Sequence, residues 1–428
     1  MNKTEQVKAG LKKRYRKEKR FQYYGLSAII LAFVFLCILL TDIVTKALPA
    51  FTQHYIQLDV QFDADKLNID TTAGTDTTDA QVLSDGNYRK LLGLTLNERF
   101  PFIENAADRR EFNKLLSNIA PFTLRDTLVA NPSLLGQSTV VEIKLDDAAD
   151  LFIKSGGLSG ETVKNQRISA QQATWLGDLY AEDKIIEKAN WSFLSSADSR
   201  EPEQAGISGA VKGTLLTILI TLVIAFPIAV SAAIYLEEFA PKNRITDFIE
   251  ININNLASVP SIVFGLLGLA IFINFFGMPR SAPLVGGLVL ALMTLPTIII
   301  SSRAAIKSVS PSLKEGALGL GASKTQTVFH QVLPQAMPGI LTGTIIGIAQ
   351  AIGETAPLLM IGMVAFIVDL PETFTDSATV LPVQIYLWSN NPEHTFVAKT
   401  SAAIIVLLLV LLVINALAIY LRKRFEKK

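Results

Sequence analysis

Long apolar runs alternate with one extended polar region along the chain, and this contrast sets the predicted architecture. A helix needs about 20 apolar residues to cross about 30 Å of hydrocarbon. One run, 339–366, is uncharged except for Glu354. Five other runs carry no charge at all: residues 25–40, 213–236, 251–279, 281–302 and 400–421. The pattern therefore predicts a membrane all-α fold with six transmembrane helices, the first extended to 25–48.

The polar region between the first and second runs, residues 49–205, has the periodicity of a soluble domain. Apolar and polar residues alternate from Ile56 to Phe62, which is the period of a half-buried strand. Val140 to Leu145 is a second strand candidate, and the Thr/Asp-rich segment 70–79 is typical of a loop. A segment of this length can hold one core. We therefore predict a small α+β domain inserted between helices 1 and 2.

Two helices of this region are predicted from their starts. Asp108 and Glu111 have the spacing of a capping box, and apolar residues at helical spacing follow them. Ser169 and Gln172 have the same spacing and are predicted to open a helix that extends to Ile186. No catalytic constellation is recognisable in this region, and its acidic residues are typical of a solvated face.

Positive charge is distributed unevenly over the loops, and this distribution predicts the orientation in the membrane. Lys and Arg concentrate in cytoplasmic loops of membrane proteins. With the N-terminus inside, the short loops outside hold only Arg280 and Lys399. The inside segments, which hold 20 Lys and Arg, are 1–24, 237–250, 303–324 and 422–428. We therefore predict cytoplasmic termini and a periplasmic domain 49–205.

The first apolar run has two possible interpretations. A cleaved secretory signal also has a basic start followed by a short apolar core. Here the basic region is long, no clean A-x-A site follows, and Tyr23 and Tyr24 stand where an aromatic belt would lie. An uncleaved first span is therefore favoured. The predicted organisation is 1–24 basic N-terminus, 25–48 first helix, 49–205 periplasmic domain, 206–421 five-helix core with cytoplasmic loop 303–337, and 422–428 basic tail.

Composition excludes several classes of function. The formal net charge of +1 gives no indication of a nucleic-acid partner, and the single cysteine, Cys37, excludes an intrachain disulfide. The three histidines are too widely scattered for a metal motif. The chain also lacks a G-x-x-x-x-G-K-[ST] loop for ATP. We therefore predict no cofactor or metal in this chain and no catalytic residues.

The loop after the predicted fourth span carries the most specific motif. It has a glutamate, two small residues and a glycine six positions after the glutamate, and a Leu-Pro pair follows farther along. This pattern resembles the EAA loop of bacterial ABC importer permeases, except for glycine at its second position and Gln331 where an isoleucine is usual. A Ser-Pro start and a final glycine also favour a short helix with a sharp end. The motif residues are Glu315, Gly316, Ala317, Gly321, Leu333 and Pro334.

Three further strings resemble the PstA family of phosphate-specific permeases. They are V-P-S-I-V-F-G-L from Val259, G-E-T-A-P-L-L from Gly353 and L-P-V-Q-I-Y from Leu381. The segment 199–206 before the second span is similar as well. The resemblance covers about residues 200–421 and implies the type I ABC importer permease fold.

The resemblance also implies a function and partners. The chain would form half of the pathway of an ATP-driven phosphate importer and couple to an ATPase through the EAA-type loop. The implied partners are a PstC-like second permease, a PstB-like ATPase dimer that binds ATP and magnesium, a PstS-like periplasmic phosphate-binding protein, and membrane lipid.

The candidate substrate pathway is predicted from polar residues inside the apolar runs. A carboxylate within a span is costly, so Glu354 is a functional-site hypothesis, with a structural hydrogen bond as the alternative. Many relatives carry an arginine where this chain has Gln350. Three sources of anion binding remain: helix N-termini at Pro260 or Pro357, side-chain hydrogen bonds from the pathway residues, and charges on the partner subunit. The candidate pathway residues are Glu354, Thr355, Gln350, Ser258, Pro260 and Ser261.

Two alternative functions stay open at the level of sequence. The first keeps the architecture and changes the ligand to molybdate, sulfate or phosphonate. The second is a membrane sensor or scaffold in which domain 49–205 binds a partner and reports inward. A co-transcribed ATPase gene would favour a transporter over the sensor.

Overall fold

The first helix is a continuous rod that joins the basic N-terminal segment to the first span. The computed structural model describes residues 3–69, 79–100, 105–159, 167–364, 367, 369–393 and 395–426. Helix α1 runs from Lys3 to Ala47 without a break, and its side chains from residue 14 to 41 are exposed along the whole length. A 3₁₀ turn, Leu48–Phe51, then leads into the polar domain.

A three-stranded antiparallel sheet forms one layer of the domain at 49–205. Strand β1 (Thr52–Gln61) lies in the centre, with β2 (Ser138–Lys144) on one side and β3 (Ile185–Ala189) on the other. The register pairs Leu58 with Val141 and Tyr55 with Ile186. The alternation at 56–62 places Ile56, Leu58, Val60 and Phe62 in the core, because successive side chains of a strand point to opposite faces.

Short helices cover the buried face of this sheet. Leu91, Leu96, Leu124 and Leu128 from two of these helices are fully buried against the strand residues. The helices are α2 (Ala64–Leu67), α3 (Ala80–Ser84), α4 (Tyr88–Arg99), α5 (Ala106–Asn113), α6 (Ala120–Ala130), α7 (Asp147–Lys154), α8 (Ala170–Ala181) and α9 (Trp191–Ser195), with 3₁₀ turns at Pro132–Leu134 and Gly157–Ser159. The predicted α+β character of this domain follows from these elements.

Two details of the sequence prediction for this domain are wrong. The cap of α5 is Asn105, whose side chain accepts from the backbone N–H of Asp108 at 2.8 Å, so Asp108 lies inside the helix. The helix opened by the Ser169–Gln172 capping box is confirmed, but it ends at Ala181. Asp183 has a φ of 54°, which reverses the chain into β3, so Ile186 belongs to a strand. The loop predicted at 70–79 lies outside the described residues except for Asp79.

Among the described residues, five helices are long and apolar enough to cross a membrane, and a bent pair brings the number to six if it counts as one span. The helices are α1, α10 (Ser208–Ile234), α13 (Pro283–Lys307), α16 (Leu333–Gly353) and α19 (Phe396–Glu426). The bent pair is α11 (Arg244–Ala257) and α12 (Ser261–Gly268). Short helices are α14 (Pro311–Gly319), α15 (Lys324–Thr327), α17 (Ala356–Met360) and α18 (Leu381–Ser389), and π-helical turns cover Tyr235–Phe239, Leu269–Phe275 and Val328–Val332.

Two predicted spans are interrupted in the structure. The predicted span 251–279 bends by 100° between α11 and α12, where Pro260 cannot donate a backbone hydrogen bond. The predicted span 339–366 ends as a helix at Gly353, and Glu354 adopts an extended conformation before the short α17. Both interruptions lie within the strings that resemble the PstA family.

Close helix contacts hold the long helices together. At Gly287 on α13, an added Cβ would stand 2.5 Å from Cβ of Ile220 on α10, so only glycine permits this approach. The hydroxyl of Thr221 donates to the backbone oxygen of Gly287 across the same contact at 3.2 Å. Small residues that let backbones approach are typical of helix packing in membranes.

Candidate functional site

The loop motif at 315–321 forms a short helix with a defined end. Helix α14 has Pro311 in its first turn. Gly321 has a φ of 88° and donates to the backbone oxygen of Leu318 at 3.0 Å, and Ala322 donates to that of Ala317 at 3.1 Å. These two bonds form a Schellman cap, which requires a left-handed residue where glycine is favoured. The predicted helix and its glycine turn are therefore confirmed as structure.

The surface of α14 is open within the described part of the chain. Glu315 is exposed, and a side chain added at Gly316 or Gly319 would meet no atom within 4 Å. Leu318 is also exposed, and Leu320 is 92% exposed. A short helix with glycine gaps, an exposed carboxylate and exposed leucines is suited to docking on another protein. The Leu333–Pro334 pair of the same motif opens α16.

Ion pairs connect this loop to neighbouring helices. Lys314 on α14 pairs with Glu238 in the π-helical end of α10. Arg303, near the end of α13, pairs with Glu237 at 2.8 Å and with Glu250 on α11 at 2.7 Å. The loop helix, α10, α13 and α11 are thus joined through half-buried charges.

Arg303 is held inside the protein by two ion pairs. Its guanidinium contacts two carboxylates, so its charge is compensated inside the protein. Sequence reasoning missed both of these acidic partners. Their signal was their position, since Glu237 and Glu250 bound the uncharged runs 213–236 and 251–279.

The two interrupted spans meet at their short helices. Gly265 on α12 packs on α17 so closely that an added Cβ would stand 2.6 Å from Cα of Pro357 and 2.9 Å from Cβ of Met360. Phe264 and Leu358 are buried in the same hydrophobic cluster. The strings V-P-S-I-V-F-G and G-E-T-A-P-L-L, about 90 residues apart in sequence, therefore form one packed unit.

The polar residues of these strings lie at the breaks that precede the two short helices. Ser258 is exposed, and its hydroxyl donates to the backbone oxygen of Asn255 at 2.7 Å, at the end of its own helix. Ser261 begins α12 without a side-chain cap, which leaves the first amides of that helix uncapped by a side chain. Glu354 and Thr355 are half-buried.

Gln350, one turn before Glu354 on α16, is exposed. The structure thus gathers Glu354 and Thr355 at one break and Ser258, Pro260 and Ser261 at the other. It brings the helices that follow these breaks into contact. Helix α17 has five residues, too few for the anion-binding N-terminus that sequence reasoning considered at Pro357.

Two protein families match the chain. The family described as "Binding-protein-dependent transport system inner membrane component" matches residues 225–428. The family described as "Domain of unknown function (DUF3333)" matches residues 8–159. The first match covers most of the long helices from α10 to α19, and the second covers α1 and most of the α+β domain.

The chain is also similar to individual proteins over part of its length. The chain is 30% identical over 258 residues to "Probable ABC transporter permease protein YqgI" of Bacillus subtilis (strain 168), which covers 57% of this chain and 86% of that protein. It is 34% identical over 225 residues to "Phosphate transport system permease protein PstA 1" of Mycobacterium tuberculosis (strain CDC 1551 / Oshkosh), covering 52% and 72%. It is 36% identical over 183 residues to "Phosphate transport system permease protein PstC" of Haemophilus influenzae (strain ATCC 51907 / DSM 11121 / KW20 / Rd), covering 37% and 58%.

These matches confirm the family and the ABC importer permease fold predicted from the sequence motifs. The first two relatives are each aligned over more than two thirds of their own length. The exposed loop helix and the paired breaks lie inside the matched region. The chain is therefore a multi-pass membrane protein that belongs to the PstA-like ABC transporter permeases, a family of non-catalytic membrane subunits, and it carries an additional α+β domain between its first and second long helices.

Proposed function

We propose that this chain is a transmembrane subunit of an ATP-driven importer of inorganic phosphate and that it forms half of the translocation pathway. The PstA and PstC relatives are named as phosphate transport permeases. The single structural observation that carries the proposal is the packed unit of α12 and α17. It brings the two strings that resemble phosphate permeases together at two breaks in otherwise apolar helices.

The breaks supply the polar groups for a path through the apolar core. Irregular backbone at membrane depth is tolerated where it is buried in protein or lines a water-filled cavity. Glu354, Thr355 and Gln350 would line this path from one break, and Ser258, Pro260 and Ser261 from the other. Hydroxyl, amide and backbone N–H groups can donate to phosphate oxygens, and the carboxylate of Glu354 can accept from a protonated phosphate.

Helix α14 would couple this path to an ATPase. Its exposed surface, formed by Glu315, Gly316 and Ala317 and ended by Gly321, is proposed to dock on a cytoplasmic ATPase subunit. ATP and magnesium would bind to that partner. The Lys314–Glu238 pair and the contacts of Arg303 would carry movement of α14 into α10, α13 and α11.

The proposal places the chain in the membrane with both termini in the cytoplasm and the α+β domain in the periplasm. The distribution of Lys and Arg supports this orientation. The similarity to PstC as well as to PstA supports a complex with a second permease of similar layout. A PstB-like ATPase dimer and a PstS-like phosphate-binding protein would complete the importer.

The test is ATP-dependent uptake of radiolabelled phosphate into vesicles that hold this chain with its candidate partners. We expect uptake that resists excess sulfate, molybdate or phosphonate and is lost in Glu315→Lys. Glu372→Lys, which reverses an exposed carboxylate in the loop between α17 and α18, is the matched control and should keep uptake. An assembled complex that hydrolyses ATP without phosphate uptake would refute the substrate, and unaltered uptake in Glu315→Lys would refute the coupling role.

A further inference from the structure

Three carboxylates converge where the α+β domain meets the segment that leads into α10. Asp147 opens α7, Asp146 caps that helix, and Glu203 lies just before α10. One carboxylate oxygen of each lies within 4.8 Å of the other two. Asp147 is 6% exposed and Glu203 is 2% exposed. Carboxylates this close and this buried repel one another unless a proton or a cation lies between them.

Glu203 presents a buried oxygen that lacks a protein partner. Its Oε1 accepts from the hydroxyl of Ser117 at 2.5 Å. Its Oε2 is also inaccessible to solvent and has no hydrogen-bond partner among the described residues. Leaving a buried charged oxygen unsatisfied costs more than a normal buried polar group. This oxygen can therefore accept from a ligand that the described residues do not supply.

A small cavity adjoins the cluster and provides space for a ligand. The cavity has a volume of about 40 Å³ and is lined by Asp147 and Glu203 together with Asn190, Thr395 and Lys399. A single water needs about 10–15 Å³ of such volume. One ion with a coordinating water therefore fits beside the carboxylates.

The neighbouring cations are directed toward other atoms. Lys144 donates to Oγ of Ser192 at 2.6 Å, and Lys399 donates to the backbone oxygen of Ala205 at 2.9 Å. Lys154, which also lines the cavity, pairs with Asp150 at 2.6 Å. Lys144 also donates to the backbone oxygen of Glu203 at 3.4 Å. The three ammonium groups thus contact a hydroxyl, backbone oxygens and the carboxylate of Asp150 rather than the three carboxylates of the cluster.

Arg167 approaches the cluster from its solvent edge. It pairs with Asp147 at 3.1 Å and with Glu393 at 3.0 Å, and its side chain is half-exposed.

We propose that Asp146, Asp147 and Glu203 form a binding site for a divalent cation of the calcium type. Calcium takes hard oxygen ligands at 2.3–2.6 Å in flexible geometry, and three oxygens within 4.8 Å of one another can share one such ion. The cluster offers only oxygen, which disfavours zinc and other metals that take nitrogen or sulfur. Magnesium demands a near-ideal octahedron and usually keeps several waters, so calcium fits buried carboxylates beside a cavity of about 40 Å³ better.

The bound ion would join two parts of the molecule. Asp146 and Asp147 belong to the α+β domain, whereas Glu203 precedes α10, the first helix of the five-helix core. A cation between them would fix the domain on the core. The choice of calcium rests on the periplasmic placement proposed above, because calcium is abundant outside the cytoplasm, but binding itself is measurable without transport.

The experiment is a titration of the purified full chain in detergent with calcium chloride and, in parallel, with magnesium chloride, followed by calorimetry and by thermal unfolding. We expect saturable calcium binding with a Kd of about 0.1–1 mM, the range of extracellular calcium modules. The Tm should rise with calcium and much less with magnesium. Asp146→Asn and Glu203→Gln should weaken binding at least about tenfold, since each removes one charged ligand. Asp126→Asn, on the exposed surface of α6, is the matched control and should bind as the parent chain does.

Three outcomes overturn the calcium site. Absence of saturable calcium binding by the parent chain refutes the site without requiring any variant to fold. Equal binding by Asp146→Asn, the variant that keeps the shape of the helix cap, places the ion elsewhere. A Tm that depends on pH through Asp146 but not on calcium shows that a shared proton alone neutralises the cluster. Loss of phosphate transport with intact calcium binding would instead count against the proposed function.

Discussion

The α+β domain and the five-helix core bury their apolar residues to very different extents. In the domain, Phe62, Leu91 and Leu124 are fully buried in one closed cluster. In the core, α11 has no buried residue, and Phe248 on that helix is 66% exposed. Both regions are rich in apolar residues, so the difference lies in what surrounds each of them.

This contrast indicates that apolar residues stabilise the fold of the domain, whereas exposed ones in the core are available for assembly with another subunit. Folding of the domain removes apolar side chains from water, so their burial contributes directly to its free energy of folding. Lipid tails are as apolar as leucine, so an exposed apolar helix in the core costs nothing against lipid and remains available for a second subunit. Substitution of a large buried residue should therefore unfold the domain, whereas substitution of an equally large exposed residue of α11 should leave the folding of the core nearly unchanged.

The largest expected effect is at Phe112, which packs on Phe100 and Trp175 with ring centroids 5.1 and 5.7 Å apart. Phe112→Ala should lower the free energy of unfolding of the domain by about 3–5 kcal/mol, because it removes a buried ring and leaves a cavity. Phe248→Ala should change it by less than about 0.5 kcal/mol. The measurement is resistance of the full chain to proteolysis in increasing urea, and equal loss in both variants would contradict the comparison.

Glycine-to-alanine substitutions give a second way to distinguish the packing of the two regions. Gly265→Ala places a methyl group against the backbone of Pro357 and should destabilise the α12–α17 unit by about 1–3 kcal/mol through overpacking. Gly177→Ala, on α8 of the domain, has nothing within 4 Å and should stabilise that helix by about 0.5–1 kcal/mol. Thermal unfolding in detergent measures both, and opposite signs are expected. The same sign in both variants would show that the α12–α17 contact is loose.

The junction between the regions should respond to pH. Burial and the charges of Asp147 and Glu203 raise the pKa of Asp146 to about 8, above its value in an unfolded chain. The protonated form is therefore favoured by folding, and stability is lost as the pH rises from about 4 through 8. A shift of about four units would correspond to about 6 kcal/mol for an isolated group, at about 1.4 kcal/mol per unit. The loss should be smaller, on the order of a few kcal/mol, because three coupled carboxylates share the protons. A Tm profile in chelator should show this slope, and Asp146→Asn should flatten it. A parallel slope in the variant would contradict the assignment.

The sequence predicts the elements of both regions better than their ends. The alternation at 56–62 predicts β1, and the Ser169–Gln172 box predicts the start of α8, because both signals are local. Strand β3 escapes prediction because Ile185 and Ile186 continue an apolar helical spacing, and the reversal at Asp183 has no glycine to mark it. A residue other than glycine in the left-handed region leaves no strong signal in a single sequence.

The candidate site also has parts that the sequence predicts and parts that it does not. Helix α14 and its glycine turn follow from residues within a dozen positions, so motif and turn chemistry predict them. The contacts of Arg303 with Glu237 and Glu250 and the contact of Gly265 with Pro357 join residues far apart in sequence. Such contacts depend on how the helices pack, and a single sequence does not encode that in any local pattern.

The smallest expected effect concerns ion pairs, which extend the comparison of the two regions from apolar to charged side chains. Lys188 in the domain pairs with Glu142 at 2.5 Å, but the lysine side chain is 49% exposed. Water and salt screen such a pair, so its coupling energy should be below about 0.5–1 kcal/mol in a double-mutant cycle of Lys188→Ala and Glu142→Ala. Arg303 is 17% exposed and holds two carboxylates, so the matched cycle of Arg303→Ala and Glu237→Ala should give a larger coupling. Thermal unfolding at low and high salt measures both cycles. A salt-sensitive coupling at Arg303 as small as that at Lys188 would show that water reaches the joint between α10, α13 and α11, and the joint could then not transmit movement of α14 as a rigid unit.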